Sequence, residues 1–155
     1  MQDVGLTHGG FYKHFKSKDD LLIESLCEAF REILDRLSQV AEAAHPGTAW
    51  KAIVKTYLSL EHCDHPEFGC PLAALGPELA RTSRAMKAGI FGELENYRNR
   101  MMPFMPGKRI PEKERAFYAI FSTMIGAVEI ARLLPSDEMR EKVLASARDM
   151  LSRSF

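Results

Sequence analysis

The sequence predicts an all-α fold, and three observations carry that prediction. From Lys18 onward, apolar residues recur at spacings of three and four, the period of a helix face. Most prolines and glycines fall between these runs rather than inside them. No stretch gives a convincing strand pattern, and there is no internal repeat or low-complexity tract.

The first element is short. Gly5 suits a tight turn because it takes a left-handed conformation without a Cβ clash. Thr7 is a good N-cap, its hydroxyl placed to accept an orphan amide. Phe11 and Phe15 lie four residues apart and share one inward face, leaving His8, Tyr12 and Lys13 on or beside the others. Ser17 caps the next helix, with Asp20 at the capping-box distance. Turn, short polar helix, cap and long helix is the plan of the second half of a helix-turn-helix. Met1 to Val4 then read as the tail of a preceding helix, so the chain is expected to be truncated within that motif.

A long helix follows from Lys18, with Leu22, Leu26, Ala29, Ile33, Leu37, Val40 and Ala44 inward, and His45-Pro46-Gly47 ends it. Thr48 starts another, with Trp50, Ile53, Val54, Tyr57 and Leu58 on one face; it frays at Cys63-Asp64-His65-Pro66. Pro71 suits the first turn of a third, with Leu72, Leu75 and Leu79 inward and Gly76-Pro77 expected to interrupt and kink it. Met86, Ile90, Leu94, Tyr97 and Met101 mark a fourth, broken by the loop from Met102 to Gly107.

Pro111 opens the most apolar helix, Glu112 to Leu134. Phe117, Phe121, Met124, Ile125 and Val128 mix there with small Ala116, Ala119, Ser122, Gly126, Ala127 and Ala131. A helix apolar on nearly every side must be covered on nearly every side, and a second subunit is the expected cover. The expectation is a homodimer through the last two helices, with Phe121, Ile125, Val128, Glu129, Arg132, Val143 and Met150 at the interface. Glu129 and Arg132 either lock that dimer across its axis or form an exposed pair within one helix. Pro135 stops the helix, and Ser136 caps the last one, with Met139, Val143, Ala147 and Met150 inward.

The composition excludes several classes. A chain of 155 residues, 46% apolar and 27% charged, can bury a real core and does not read as disordered. Its formal net charge of +0 gives no global attraction for nucleic acid, so any DNA contact must be local. Lys13, Lys16 and Lys18 stand against Asp3 alone at the start of the chain, with His8 and His14 beside them. Cys27, Cys63 and Cys70 form an odd set with no signal peptide ahead, which favours thiols in a reducing cytoplasm. The most apolar run, Ala116 to Leu134, carries Glu129 and Arg132, so no membrane partner is expected.

The run Gly5-Leu6-Thr7-His8-Gly9-Gly10-Phe11-Tyr12-Lys13-His14-Phe15-x-Ser17-Lys18-x-x-Leu21-Leu22 closely resembles the recognition helix and following junction of TetR/AcrR-type transcriptional regulators. The match is ungapped; the rest of the chain resembles the family only weakly. The resemblance implies a partial helix-turn-helix over residues 1–17 and a helical ligand-binding and dimerisation domain over 18–155. It also implies that Thr7, Tyr12, His14 and Lys18 contact phosphates while His8, Gly9, Gly10 and Lys13 approach base edges. The residue types suit those roles: glycine permits close approach, and lysine can donate to guanine acceptors.

Three further sites stand out. Trp50, Tyr57, Met86, Tyr97, Met101, Phe104, Phe117 and Phe121 either line an apolar effector pocket or are plain core, with His62, Arg98 or Tyr118 available to orient a ligand. Cys70, just before a helix start, is a candidate thiol sensor because helix-end amides favour a thiolate; the alternative is a buried inert thiol. His62, Cys63, Asp64, His65 and Cys70 supply metal-ligand types but match no finger spacing, so no metal and no other cofactor is expected. With no nucleophile motif and no glycine-rich phosphate loop, the chain is not read as an enzyme.

The resemblance therefore implies a cytoplasmic TetR-type regulator, a repressor in the first instance. A small apolar effector would shift the helix that starts at Lys18 and unfit paired recognition helices for a palindromic operator. The alternatives are an electrophile or redox sensor acting through Cys70, or a helical dimerisation module that does not bind DNA.

Overall fold

The computed structural model describes Phe15 and residues 17–155. Those residues form seven α-helices and no strand. In order they are α1 (Lys18–Glu42), α2 (Ala49–Tyr57), α3 (Leu60–Asp64) and α4 (Pro71–Ala80), then α5 (Arg84–Met101), α6 (Ile110–Arg132) and α7 (Asp137–Ser154). Short 3-10 turns at Pro66–Phe68 and Met102–Phe104 follow α3 and α5. The class is all-α. None of the described helices is long and apolar enough to cross a membrane.

Local chemistry sets the helix starts. The Ser17 hydroxyl accepts the Asp20 amide at 3.0 Å, and Asp19 and Asp20 place negative charge on the positive end of α1. Ser59, Ser83 and Ser136 accept the third amide along in the same way for α3, α5 and α7. At the start of α6 the Glu112 carboxylate accepts the Lys108 and Arg109 amides at 2.9 and 3.2 Å. Between α1 and α2 the chain reverses at Gly47, whose φ of 82° lies in the left-handed region that costs other residues energy.

α1 is the central strut. Leu26, Phe30, Ile33, Leu34, Leu37 and Ala41 are buried along it against α2 and α5. This stripe is rotated from the one expected: Leu22 is exposed, while Ala29, Val40 and Ala44 are only partly covered. α6 and α7 form the other large pairing, and α4 lies on α6.

Two expectations about α6 and α7 are corrected. Phe121 and Val128, expected at a subunit interface, are already buried within a single chain. On α7 the core residues are Leu144 and Leu151, while Met139 and Met150 face outward. Left exposed on these two helices are Ile130, Leu133, Met139 and Met150, while Val143 and Ala147 are partly covered. On α5, Leu94 is exposed rather than inward, as is Leu75 on α4.

α4 also departs from expectation. It runs through Pro77 without interruption. Proline has no amide to offer the carbonyl four residues back, that of Ala73. The Arg132 guanidinium donates to that carbonyl instead, at 2.8 Å. The same guanidinium donates to the carbonyls of His62 (2.9 Å) and Cys63 (3.2 Å), which belong to the short helix α3. Arg132 is thus committed inside its own chain, and the Glu129 carboxylate on the turn before it faces Gly76 of α4.

Candidate functional site

Two features lie side by side: a buried polar node and a cavity. The node is centred on His62, whose ring packs edge-on against Tyr57, with centroids 4.3 Å apart. Its Nδ1 donates to the Tyr57 carbonyl at 2.7 Å, and its Nε2 accepts the Cys70 amide at 3.0 Å. That pattern requires the neutral ring with its proton on Nδ1. Burial holds the pKa down to about 4 from the ordinary 6.5; the bond to Tyr57 opposes this, and the Arg132 and Arg36 guanidiniums add to it. Gly69 makes room: a Cβ there would lie 2.8 Å from His62 Nε2 and 3.3 Å from an Arg132 terminal nitrogen. The Gly69-Cys70-Pro71 sequence therefore has a steric reason, which is to let a histidine and an arginine close over the start of α4.

Next to this node is a cavity of about 330 Å³. It exists because α5 packs chiefly on α1 and leaves a gap towards α6. Phe30 of α1 and Cys70 and Leu72 at the start of α4 contribute one side. α5 contributes Phe91, Leu94, Glu95, Tyr97 and Arg98, and α6 contributes Phe117, Tyr118, Phe121, Ser122 and Ile125. The aromatic rings interlock. Tyr97 stands perpendicular to Phe121 at 4.9 Å and meets Phe30 edge-on at 6.5 Å, while Phe117 lies 4.5 Å from Phe121. The volume lies at the lower end of the roughly 300–1,000 Å³ usual for small-molecule sites.

Charge sits on the Arg98 side of the cavity. Arg98 bridges Glu114 of α6 at 2.8 Å and Glu95 of its own helix at 2.9 Å. The Tyr97 and Tyr57 hydroxyls and the Arg98 Nε are buried with no hydrogen-bond partner. Burial raises both phenols well above their usual range, with the nearby Cys70 thiol adding to it.

Of the residues expected to line a pocket, Tyr97, Phe117 and Phe121 do so. Arg98 and Tyr118, expected as orienting groups, also line it. Trp50, Met86 and Met101 are buried elsewhere in the core, Trp50 meeting Phe155 edge-on at 6.1 Å. Tyr57 and His62 form the layer behind Cys70, and Phe104 sits in the turn after α5, beside a different surface depression. Phe30, Phe91, Leu94 and Glu95 were not anticipated as lining. Phe91, Glu95 and Arg98 recur at spacings of four and three, a second stripe on α5 beside the expected one.

Cys70 is almost wholly buried, and burial pushes its thiol up from the ordinary value. The amides of Leu72 and Ala73 at the start of α4 pull the other way without prevailing. The expected thiolate stabilisation by a helix end is therefore outweighed by loss of water. Burial raises the Cys63 thiol too. Both nitrogens of His62 are engaged, Asp64 pairs with Arg140, and His65 pairs with Glu67 at the surface. Among the described residues, no three His, Cys, Asp or Glu side chains stand close enough to hold a metal ion.

Ile125 lines the cavity, while on α7 Val143 is partly covered and Met150 is exposed. Of the expected DNA contacts, Lys18 is the first residue of α1 and is exposed. Thr7, His8, Gly9, Gly10, Tyr12, Lys13 and His14 lie outside the described residues, as does the proposed 1–17 region save for Phe15 and Ser17. No protein-family model matches the chain, and no curated protein matches it.

Proposed function

We propose that the chain is the effector-binding and dimerisation body of a TetR-type transcriptional regulator, joined to the recognition helix of its helix-turn-helix. The observation that carries this reading is Phe30. It lies on α1, the helix continuous in sequence with the Gly5–Lys18 run, and it forms part of the cavity wall. A molecule entering the cavity presses on that helix directly, so occupancy and the position of the Lys18 end are coupled. Two such chains paired through the α6–α7 face would present two recognition helices to a palindromic operator, and the effector would change their separation.

The test is a salt-series DNA titration of the protein against palindromic duplexes, with and without a ligand that the cavity takes up. Binding that weakens with salt and is released by the ligand supports the regulator. Binding indifferent to the ligand removes the switch. No salt-dependent binding at all supports the second reading, a dimerisation module, which the exposed apolar residues Ile130, Leu133, Met139 and Met150 favour. The thiol-sensor reading through Cys70 is weakened by that residue's burial.

A further inference from the structure

The charged end of the cavity carries more acid than base, and the acid is the more open. Glu95 of α5 and Glu114 of α6 share the guanidinium of Arg98, at 2.9 and 2.8 Å. Two carboxylates on one guanidinium leave one negative charge in excess. Each of these glutamate side chains is 40% exposed, and that of Arg98 is 26% exposed. Glu95 lines the cavity, so it can turn to an incoming group while Arg98 stays paired with Glu114.

The same wall offers open aromatic rings. Phe91 stands one turn before Glu95 on α5, and Tyr118 comes from α6. Both line the cavity with more than half of their surface exposed. An aromatic face attracts a cation through its quadrupole, and a neighbouring carboxylate adds to the attraction. The buried Phe117 and Phe121, 4.5 Å apart, supply an apolar wall beyond them.

We infer that the cavity takes a lipophilic organic cation, with a flat apolar body against Phe117 and Phe121 and an ammonium group held by Glu95, Phe91 and Tyr118. This rests on the cavity being the effector site proposed above, and it adds a positive charge to the apolar effector expected there. A quaternary ammonium is the cleanest probe, because it has no N–H and is recognised through charge and aromatic contact alone.

Fluorescence titration of the protein with three naphthyl probes tests the inference: (2-naphthylmethyl)trimethylammonium, its hydrocarbon isostere 2-neopentylnaphthalene, and the anion 2-naphthylmethanesulfonate. The first two differ in one atom, nitrogen for carbon. In the wild type the ammonium should bind about tenfold more tightly than the hydrocarbon, the scale of a partly desolvated cation–π contact beside a carboxylate. Rising salt should narrow that preference, since the carboxylate is partly open to solvent. Glu95→Gln and Phe91→Leu should each narrow it as well. Neither side chain belongs to the core, so both variants should keep the helical content of the wild type. Tightest binding by the hydrocarbon or by the sulfonate, a preference unchanged in Glu95→Gln, or no binding by any probe would each overturn the inference. DNA is absent from this titration, so its outcome is separate from that of the operator experiment.

Discussion

The Arg132 guanidinium donates at 2.8 Å to the carbonyl of Ala73, the acceptor that Pro77 leaves without its helical amide. One side chain from the end of α6 therefore repairs a gap in the middle of α4 while also closing α3. Replacing Arg132 with Met should destabilise the protein by about 2–4 kcal/mol, because three carbonyls lose a charged donor. Part of that loss should be recovered in the double variant with Pro77→Ala, where a helical amide is again available for Ala73. A urea-denaturation cycle over the four proteins checks this. Strictly additive effects would mean that the two residues do not share the carbonyl.

His62 gives a dependence on acidity. Its folded pKa, about 4, lies below the ordinary 6.5, so between those values the unfolded chain binds the extra proton and the folded one does not. Its contribution is therefore fully present above about pH 6.5 and is lost as the pH falls through about 4. The size is about 3 kcal/mol from the shift. Melting curves across this range should show a steeper loss in the wild type than in His62→Gln. Parallel slopes in the two proteins would remove the histidine from the account.

Two glycines should respond in opposite directions to the same change. At Gly69 a methyl group meets the His62 ring at 2.8 and 2.9 Å, and Gly69→Ala should cost roughly 1–3 kcal/mol. Gly92, inside α5, has nothing within 4 Å of its Cβ position, and Gly92→Ala should stabilise by roughly 0.5–1 kcal/mol through helix propensity. Chemical denaturation of the two variants measures both. A neutral Gly69→Ala would show that the node is looser than its geometry implies.

The open face of α6 and α7 predicts the state of association. Leu133 is 84% exposed and Ile130 54%, and Met139 and Met150 are exposed on α7. Covering a residue of this kind is worth about 1.5–3 kcal/mol each. The protein should therefore sediment as a dimer, and the double variant Leu133→Glu with Met150→Glu as a monomer of unchanged helical content. A wild type that sediments as a monomer at high concentration would end the dimer proposal.

The helices were legible in the sequence because serine caps and proline–glycine breaks act locally. The starts of α1 and α7 follow from Ser17 and Ser136 alone. Which side of each helix faces inward was less legible. α7 carries two apolar stripes, Leu144 with Leu151 and Met139 with Met150, and the period alone does not rank them. The packing partner decides, and that is a property of the fold. The same ambiguity hid Phe91, which lies off the expected stripe of α5 but lines the cavity opposite α6. The fate of Cys70 was also out of reach, since a thiol's exposure depends on what covers it from far along the chain. Arg132 illustrates the point most sharply: it lies 59 residues from the carbonyl it repairs.

Phe121 and Val128, expected to need a neighbour, already find their cover at home. If the proposed dimer forms, a subunit built this way keeps its shape when the pair separates. Mixing two differently labelled preparations should then yield hybrids without any denaturant, at a speed set by parting alone. In a cell holding several such proteins, the fidelity of pairing would rest on the few outward residues of the final two rods and not on the interior beneath them.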